Sequence, residues 1–197
     1  MYKLSADYVT EVTPPSSEPI TATVAKNHLR VDISDDDALI GNLITAAREY
    51  CEWYTGRSFI QRTYRADLPD FADDIQLPFG PVIAISSVKY YDTASPQVLQ
   101  TWAASNYTLQ NDMLRRNYGV SFPSVGTQYD NVQITYTAGF LDSSSPQAEN
   151  VPESVKQAML MLIGDMYENR EAQVLYPGQL HENRAVRTLL HSQRKFR

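Results

Sequence analysis

From Leu39 to Tyr54 the apolar residues recur at steps of three and four: Leu39, Ile40, Leu43, Ile44, Ala47, Tyr50, Cys51 and Tyr54. That period matches one face of an α-helix. It stops at Gly56, a natural residue to follow a helix end. It returns only with Val155, Met159, Leu162, Ile163, Met166 and Tyr167. Between the two stripes the sequence reads as short β-type runs, 63–68, 75–77, 82–91, 107–109 and 132–137, separated by Pro, Gly, Asn and Asp. Within the last run, Val132, Ile134 and Tyr136 alternate with polar residues, as in a half-buried strand. Helix, then sheet, then helix is the tightest constraint on this chain. It predicts an α+β fold: a small helical bundle with an inserted antiparallel β-sheet over about residues 59–140, an extended N-terminal arm and a C-terminal amphipathic helix.

The boundaries follow from local chemistry. Thr13-Pro14-Pro15-Ser16-Ser17-Glu18-Pro19 cannot propagate a helix or a central strand, so residues 1–20 read as an extended arm. The main domain then covers 21–172, with helices over about 22–29, 35–55 and 153–170. Ser34 is a suitable N-cap for the second helix. Asp37 sits three residues on, as in a capping box, and Asp35 and Asp36 fall in the first turn, where the helix dipole favours anions. Pro152 suits the first position of the third helix, with Glu153 in its first turn. Residues 173–197 form a tail. Its segment from Glu182 to Phe196 sets Val186, Leu189 and Leu190 opposite basic residues.

The 197 residues are 43% hydrophobic and 20% charged, an ordinary globular composition. A single cysteine, Cys51, excludes an internal disulfide framework. The longest apolar run, 158–163, is far short of the roughly 18 residues that span a bilayer. With no apolar signal stretch at the start, the chain is expected to be made inside a cell and to have no membrane partner. Seventeen Lys and Arg against 23 Asp and Glu leave a net charge of −6. No acidic residue follows Glu182, whereas Arg184, Arg187, Arg194, Lys195 and Arg197 do. The first 182 residues therefore carry −11, which opposes approach to a phosphate backbone. The basic tail suits an acidic surface, of nucleic acid or of protein.

No catalytic or cofactor constellation emerges. Asp32, Ser34 and Asp36 imitate the start of a calcium loop, but Asp37 stands at the required glycine and Leu43 at the closing glutamate. His28, His181 and His191 lie in no metal-binding spacing. There is no GxSxG elbow, no GxxxxGK[ST] and no GxGxxG. Cys51 lies on the apolar stripe, as a buried inert thiol would. Asp70, Asp73 and Asp74 read as a solvated turn. Tyr90, Tyr91, Trp102 and Tyr107 read as a strand-edge core cluster, with a platform for sugars or bases as the competing reading. The expectation is a structural protein, not an enzyme, with no cofactor and no metal.

Several segments then resemble the head–tail connector proteins of tailed phages, also called adaptor or head-completion proteins. His28-Leu29-Arg30 closes a short helix and leads to an acidic cap, Asp35-Asp36-Asp37. The long helix carries Ala46-Ala47-Arg48-Glu49-Tyr50-Cys51-Glu52 and ends on Thr55-Gly56-Arg57. Leu77-Pro78, Pro81-Val82, Val88 to Asp92, Val132 to Tyr136 with Ala138-Gly139-Phe140, Val151-Pro152, and Tyr167-Glu168-Asn169-Arg170-Glu171 follow in order. The resemblance covers about residues 20–172 and resumes near 185–194. The motif residues it singles out are His28, Leu29, Arg30, Ser34, Asp37, Arg48, Tyr50, Glu52, Gly56, Arg57, Gly139, Pro152, Tyr167, Asn169 and Arg170.

The resemblance implies a ring, usually of twelve copies, beneath the portal of a capsid in the virion neck, assembled in the host cytoplasm. Its implied partners are other copies of itself, the portal protein, a tail-side stopper or terminator protein, and double-stranded DNA that passes through without sequence-specific binding. The arm and tail are expected to be unsupported in the monomer and to order on neighbours. The portal contact is expected at Arg184, Val186, Arg187, Leu189, Leu190, Arg194, Lys195 and Phe196, with the leucines as apolar anchors. A tail or baseplate module that binds carbohydrate or protein is the alternative.

Overall fold

The computed structural model describes residues 2–4, 6–140, 150–169 and 184–195. The expected loop over 142–149, the segment 173–183, and His181, Arg170, Phe196 and Arg197 lie outside the described residues. The chain divides into two compact units. One is built from residues 1–16 and 61–141, the other from 17–60 and 142–197. Among the described residues four helices and two sheets, antiparallel but for one edge pair, make the fold α+β.

The β unit holds nine strands: β1 (Tyr2–Lys3), β2 (Val9–Thr13), β3 (Arg62–Leu68), β4 (Asp74–Gln76), β5 (Val82–Tyr91), β6 (Leu99–Trp102), β7 (Tyr107–Gln110), β8 (Met113–Arg116) and β9 (Val132–Ala138). They form a five-stranded sheet in the order β2-β3-β9-β5-β6 and a four-stranded sheet in the order β1-β4-β8-β7. Alternation sets the register. On β9, Val132, Ile134, Tyr136 and Ala138 are buried, and they face Leu68, Ala66, Tyr64 and Arg62 of β3. With Leu4, Leu77, Val88, Trp102 and Leu114 these form the core of the unit. Gly139 ends β9 at φ 134°, and its N–H donates to Pro81 O at 2.9 Å.

The N-terminal segment is extended but is not an unsupported arm. β1 pairs in parallel with β4, and β2 pairs with β3. Leu4 is buried in the core between them. The prolines that stop propagation begin only after Thr13, so Val9–Thr13, rich in Val and Thr, is free to pair as an edge strand.

The helical unit holds α1 (Ala22–Leu29), α2 (Asp37–Thr55), α3 (Glu153–Glu168) and α4 (Arg184–His191). Thr21 caps α1, accepting the Val24 N–H at 3.3 Å. The capping box expected at Ser34 is absent. The N-cap of α2 is Asp36, and Ser34 contributes its backbone carbonyl to the Asp37 N–H instead. The Asp36 and Asp37 side chains face neighbouring helices. Lys26 donates to Asp37 at 2.6 Å, and the Tyr167 hydroxyl donates to Asp36 at 2.5 Å. Pro152 is the N-cap of α3 rather than its first helical residue. Ile40, Ile44, Ala47 and Cys51 of α2, with Val155, Ala158, Met159 and Ile163 of α3, are buried. Apart from Ala158 these belong to the two stripes read from the sequence, of which Leu39, Leu43, Leu162, Met166 and Tyr167 are half-buried.

Candidate assembly surface

Arg48, Tyr50, Glu52, Gly56 and Arg57 of the motif set gather toward the C-terminal end of α2. Arg48 is buried, and its guanidinium donates to Glu18 at 2.8 Å and to Glu52 at 2.9 Å. Burial alone would lower its pKa. The hydrogen bond to Glu18 and the charges of Glu52 and Glu18 outweigh that and raise it. Glu18 also accepts the Thr45 hydroxyl at 3.0 Å, and Glu52 accepts the Phe59 N–H at 2.9 Å. The A-A-R-x-Y-x-E motif is thus an internal ion-pair network that fastens the segments flanking α2 to its buried side. Gly56 sits at φ 69°, left-handed geometry that favours glycine, and its N–H caps the helix on Glu52 O.

Arg57 links this end to the C-terminal segment, donating to Gln193 O at 2.6 Å. In return the Lys195 N–H donates to Thr55 O at 2.9 Å. The Arg194 guanidinium lies 5.6 Å over the Tyr54 ring. Val186 and Leu190 are buried. Both are therefore unavailable as apolar anchors for a portal, and the tail helix is not unsupported: it packs on α3 and α2 of its own unit. Its moment explains why, since Val186 and Leu190 share one helical side and the unit offers an apolar seat for it. Leu189 is half-buried, while Arg184, Arg187 and Arg194 are exposed.

The remaining motif residues are also scaffold. Arg30 ends α1 at φ 56°, and its N–H reaches Asn27 O and Lys26 O. Exposed His28 borders Gly164 of α3, where a Cβ would lie 3.6 Å from Nε2. Leu29 and Tyr50 are half-buried. Asn169 ends α3, and its side chain donates to Asp165.

One feature escaped the sequence reading. Trp53, on the last turns of α2, is 77% exposed. Tyr50 lies 6.0 Å from it and 6.4 Å from Tyr54. Glu49 stands beside it, with its side chain 67% exposed. Trp53 falls one step off the apolar stripe, and that phase is the signal that could have found it.

Of Tyr90, Tyr91, Trp102 and Tyr107, Trp102 belongs to the core and Tyr90 and Tyr107 pack against it partly buried, while Tyr91 is half-buried outside that cluster. Trp102 is buried between Tyr107, Phe71 and Phe122, with ring centroids 5.0–5.6 Å apart. Asp73 and Asp74 pair with Arg116 and Arg115. No cluster of three or more potential metal ligands occurs among the described residues. No helix among them is long and apolar enough to cross a membrane. Burial pushes the Cys51 thiol up to about 12, as for an inert core sulfur.

Residues 20–113 match the family model described as phage gp6-like head–tail connector protein. Over that segment, just under half of the chain, the sequence is similar to that family. The same fold occurs in chains from the neck of an empty gene transfer agent particle computed with C6 symmetry (TM-score 0.76) and from the virion of a native gene transfer agent particle (0.75). It occurs also in the neck of a native particle computed with C12 symmetry (0.69). Each is 24% identical to this chain and matches over 96% of both chains. No curated protein matches the chain.

Proposed function

We propose that this chain is a head–tail connector of a virion neck, a structural protein that forms a ring of twelve copies beneath the portal, extends the DNA channel and docks the next tail-side protein. The observation that carries this reading is the family match over residues 20–113, which falls on both units. Its support is a fold shared along nearly the whole chain with neck proteins. Copies related by rotation meet through two different patches of one surface, so a ring subunit needs two complementary faces. Val186 and Leu190 drop out of the portal contact because they are internal. Arg184, Arg187, Leu189, Arg194 and Lys195 are the described residues left for it.

Electron microscopy of the chain mixed with its cognate portal protein tests the proposal. Rings seated on the portal are expected. A chain that stays monomeric and leaves the portal bare would overturn it.

A further inference from the structure

The exposed corner of α2 and the exposed side of α4 are complementary in charge and chemistry. The α2 corner presents an indole, a tyrosine ring and a carboxylate: Trp53, Tyr50 and Glu49. The bare side of α2 continues from there through Ala46, Asn42 and Ala38. α4 presents Arg184 and Arg187 on exposed positions one turn apart and contains no acidic residue. A guanidinium stacks on an indole face and pairs with a carboxylate at once. Trp and Arg are also the residue types that most often dominate protein interfaces. Within one chain the arginine over these rings is Arg194, on Tyr54, at the C-terminal end of α4. Arg184 begins the helix about 10 Å further back, at 1.5 Å per residue. Arg184 and Arg187 thus carry the same chemistry on exposed positions of the helix.

We infer that the Glu49–Trp53 corner of α2 receives the Arg184–Arg187 face of α4 from a second copy of this chain, as the head-to-tail contact of the ring. This rests on the ring reading above and assigns those two arginines to the neighbouring copy, not to the portal. Both patches belong to the same compact unit, so repeating the contact propagates one rotation from copy to copy.

The test uses the full chain assembled on its cognate portal. The paired substitution Glu49→Cys with Arg184→Cys should give, on oxidation, a ladder of cross-linked connector species, which neither single substitution gives. Glu49→Arg should abolish ring formation, and adding Arg184→Glu should restore it. Trp53→Ala should weaken assembly roughly thirtyfold, the scale of an interface hot spot. All these side chains are exposed, so an unchanged melting curve separates lost assembly from lost folding. Rings visible by microscopy with no ladder would overturn the pairing and leave the ring reading standing. Absence of rings with the unmodified chain would overturn both. Loss of assembly in Arg184→Glu that Glu49→Arg fails to restore would return Arg184 to the portal.

Discussion

At the scale of single residues, the motif chemistry of this chain is stability chemistry. Arg48 neutralises Glu18 and Glu52 in a site where its own side chain is 6% exposed. Removing it strands Glu52, whose side chain is 12% exposed, without its cation. Arg48→Ala should therefore cost about 3 kcal/mol in a urea denaturation, whereas Arg65→Ala, at an exposed pair with Asp67, should cost under about 1 kcal/mol. Equal costs for the two would contradict the reading of A-A-R-x-Y-x-E as an internal brace. Acid–base behaviour follows the same burial. Desolvation raises the Cys51 thiol from 9.0 to about 12, and desolvation, with Tyr64 and Asp112 adding to it, raises the Tyr136 phenol above its ordinary 10.0. Both groups are neutral when protonated, and the fold holds that proton more tightly than the unfolded chain does. Their contribution is complete below about pH 9 and is lost as the pH climbs through the raised values. The urea midpoint should be level from pH 7 to 9 and fall above it; a level midpoint to pH 11 would contradict this.

At the scale of elements, what was legible depended on length and on period. α2 and α3 carry long stripes, and their buried sets, Ile40, Ile44, Ala47 and Cys51 with Val155, Met159 and Ile163, are the ones the spacing picked out. β9 and β5 were legible from alternation and β-branched content. β6 and β8 are four residues each, and Met113-Leu114-Arg115-Arg116 lacks any β-branched residue. The signal for β8 lay in its turn: Asn111 and Asp112 both take positive φ, 52° and 61°, as a two-residue hairpin loop requires. β1 and β2 were hidden because the prolines beside them drew the reading toward an arm, while pairing depends on distant β3 and β4. α4 was legible as a helix, but which molecule covers its apolar side is a tertiary fact that amphipathicity alone does not contain. That side is now testable as an internal contact. Leu190 is fully buried, so Leu190→Ala should destabilise the helical unit by about 2–5 kcal/mol. Amide exchange should quicken in α4 and around Thr55 and Gly56, where the Lys195 N–H is held. Unchanged exchange there would mean that α4 does not depend on this seat.

At the scale of the molecule, charge decides how the chain would meet DNA in the proposed channel. The chain carries −6 overall, and its cations are concentrated after Glu182 while the preceding residues carry −11. A phosphate-gripping protein gains affinity by displacing condensed counterions, one set for each phosphate its Lys or Arg neutralises. Here several candidate cations already have anionic or aromatic partners: Arg48 with Glu18 and Glu52, Arg62 with Glu11, Arg115 with Asp74, Arg116 with Asp73, and Arg194 over Tyr54. Transferring them to phosphate would break those pairs. Five tail cations neutralising phosphates would give a salt slope of about −4.5, steep enough that binding seen at 50 mM salt would fall several-hundredfold at 200 mM. The acidic remainder opposes even that encounter. The unassembled chain should therefore show affinity for duplex DNA no tighter than the weakest non-specific binders, about 10⁻⁴ M at physiological salt, in fluorescence anisotropy with a labelled duplex. Replacing Arg184, Arg187 and Arg194 with Gln should leave the result unchanged. Micromolar binding at that salt, lost on those replacements, would make the tail a DNA grip and would count against the proposed passage of DNA without binding.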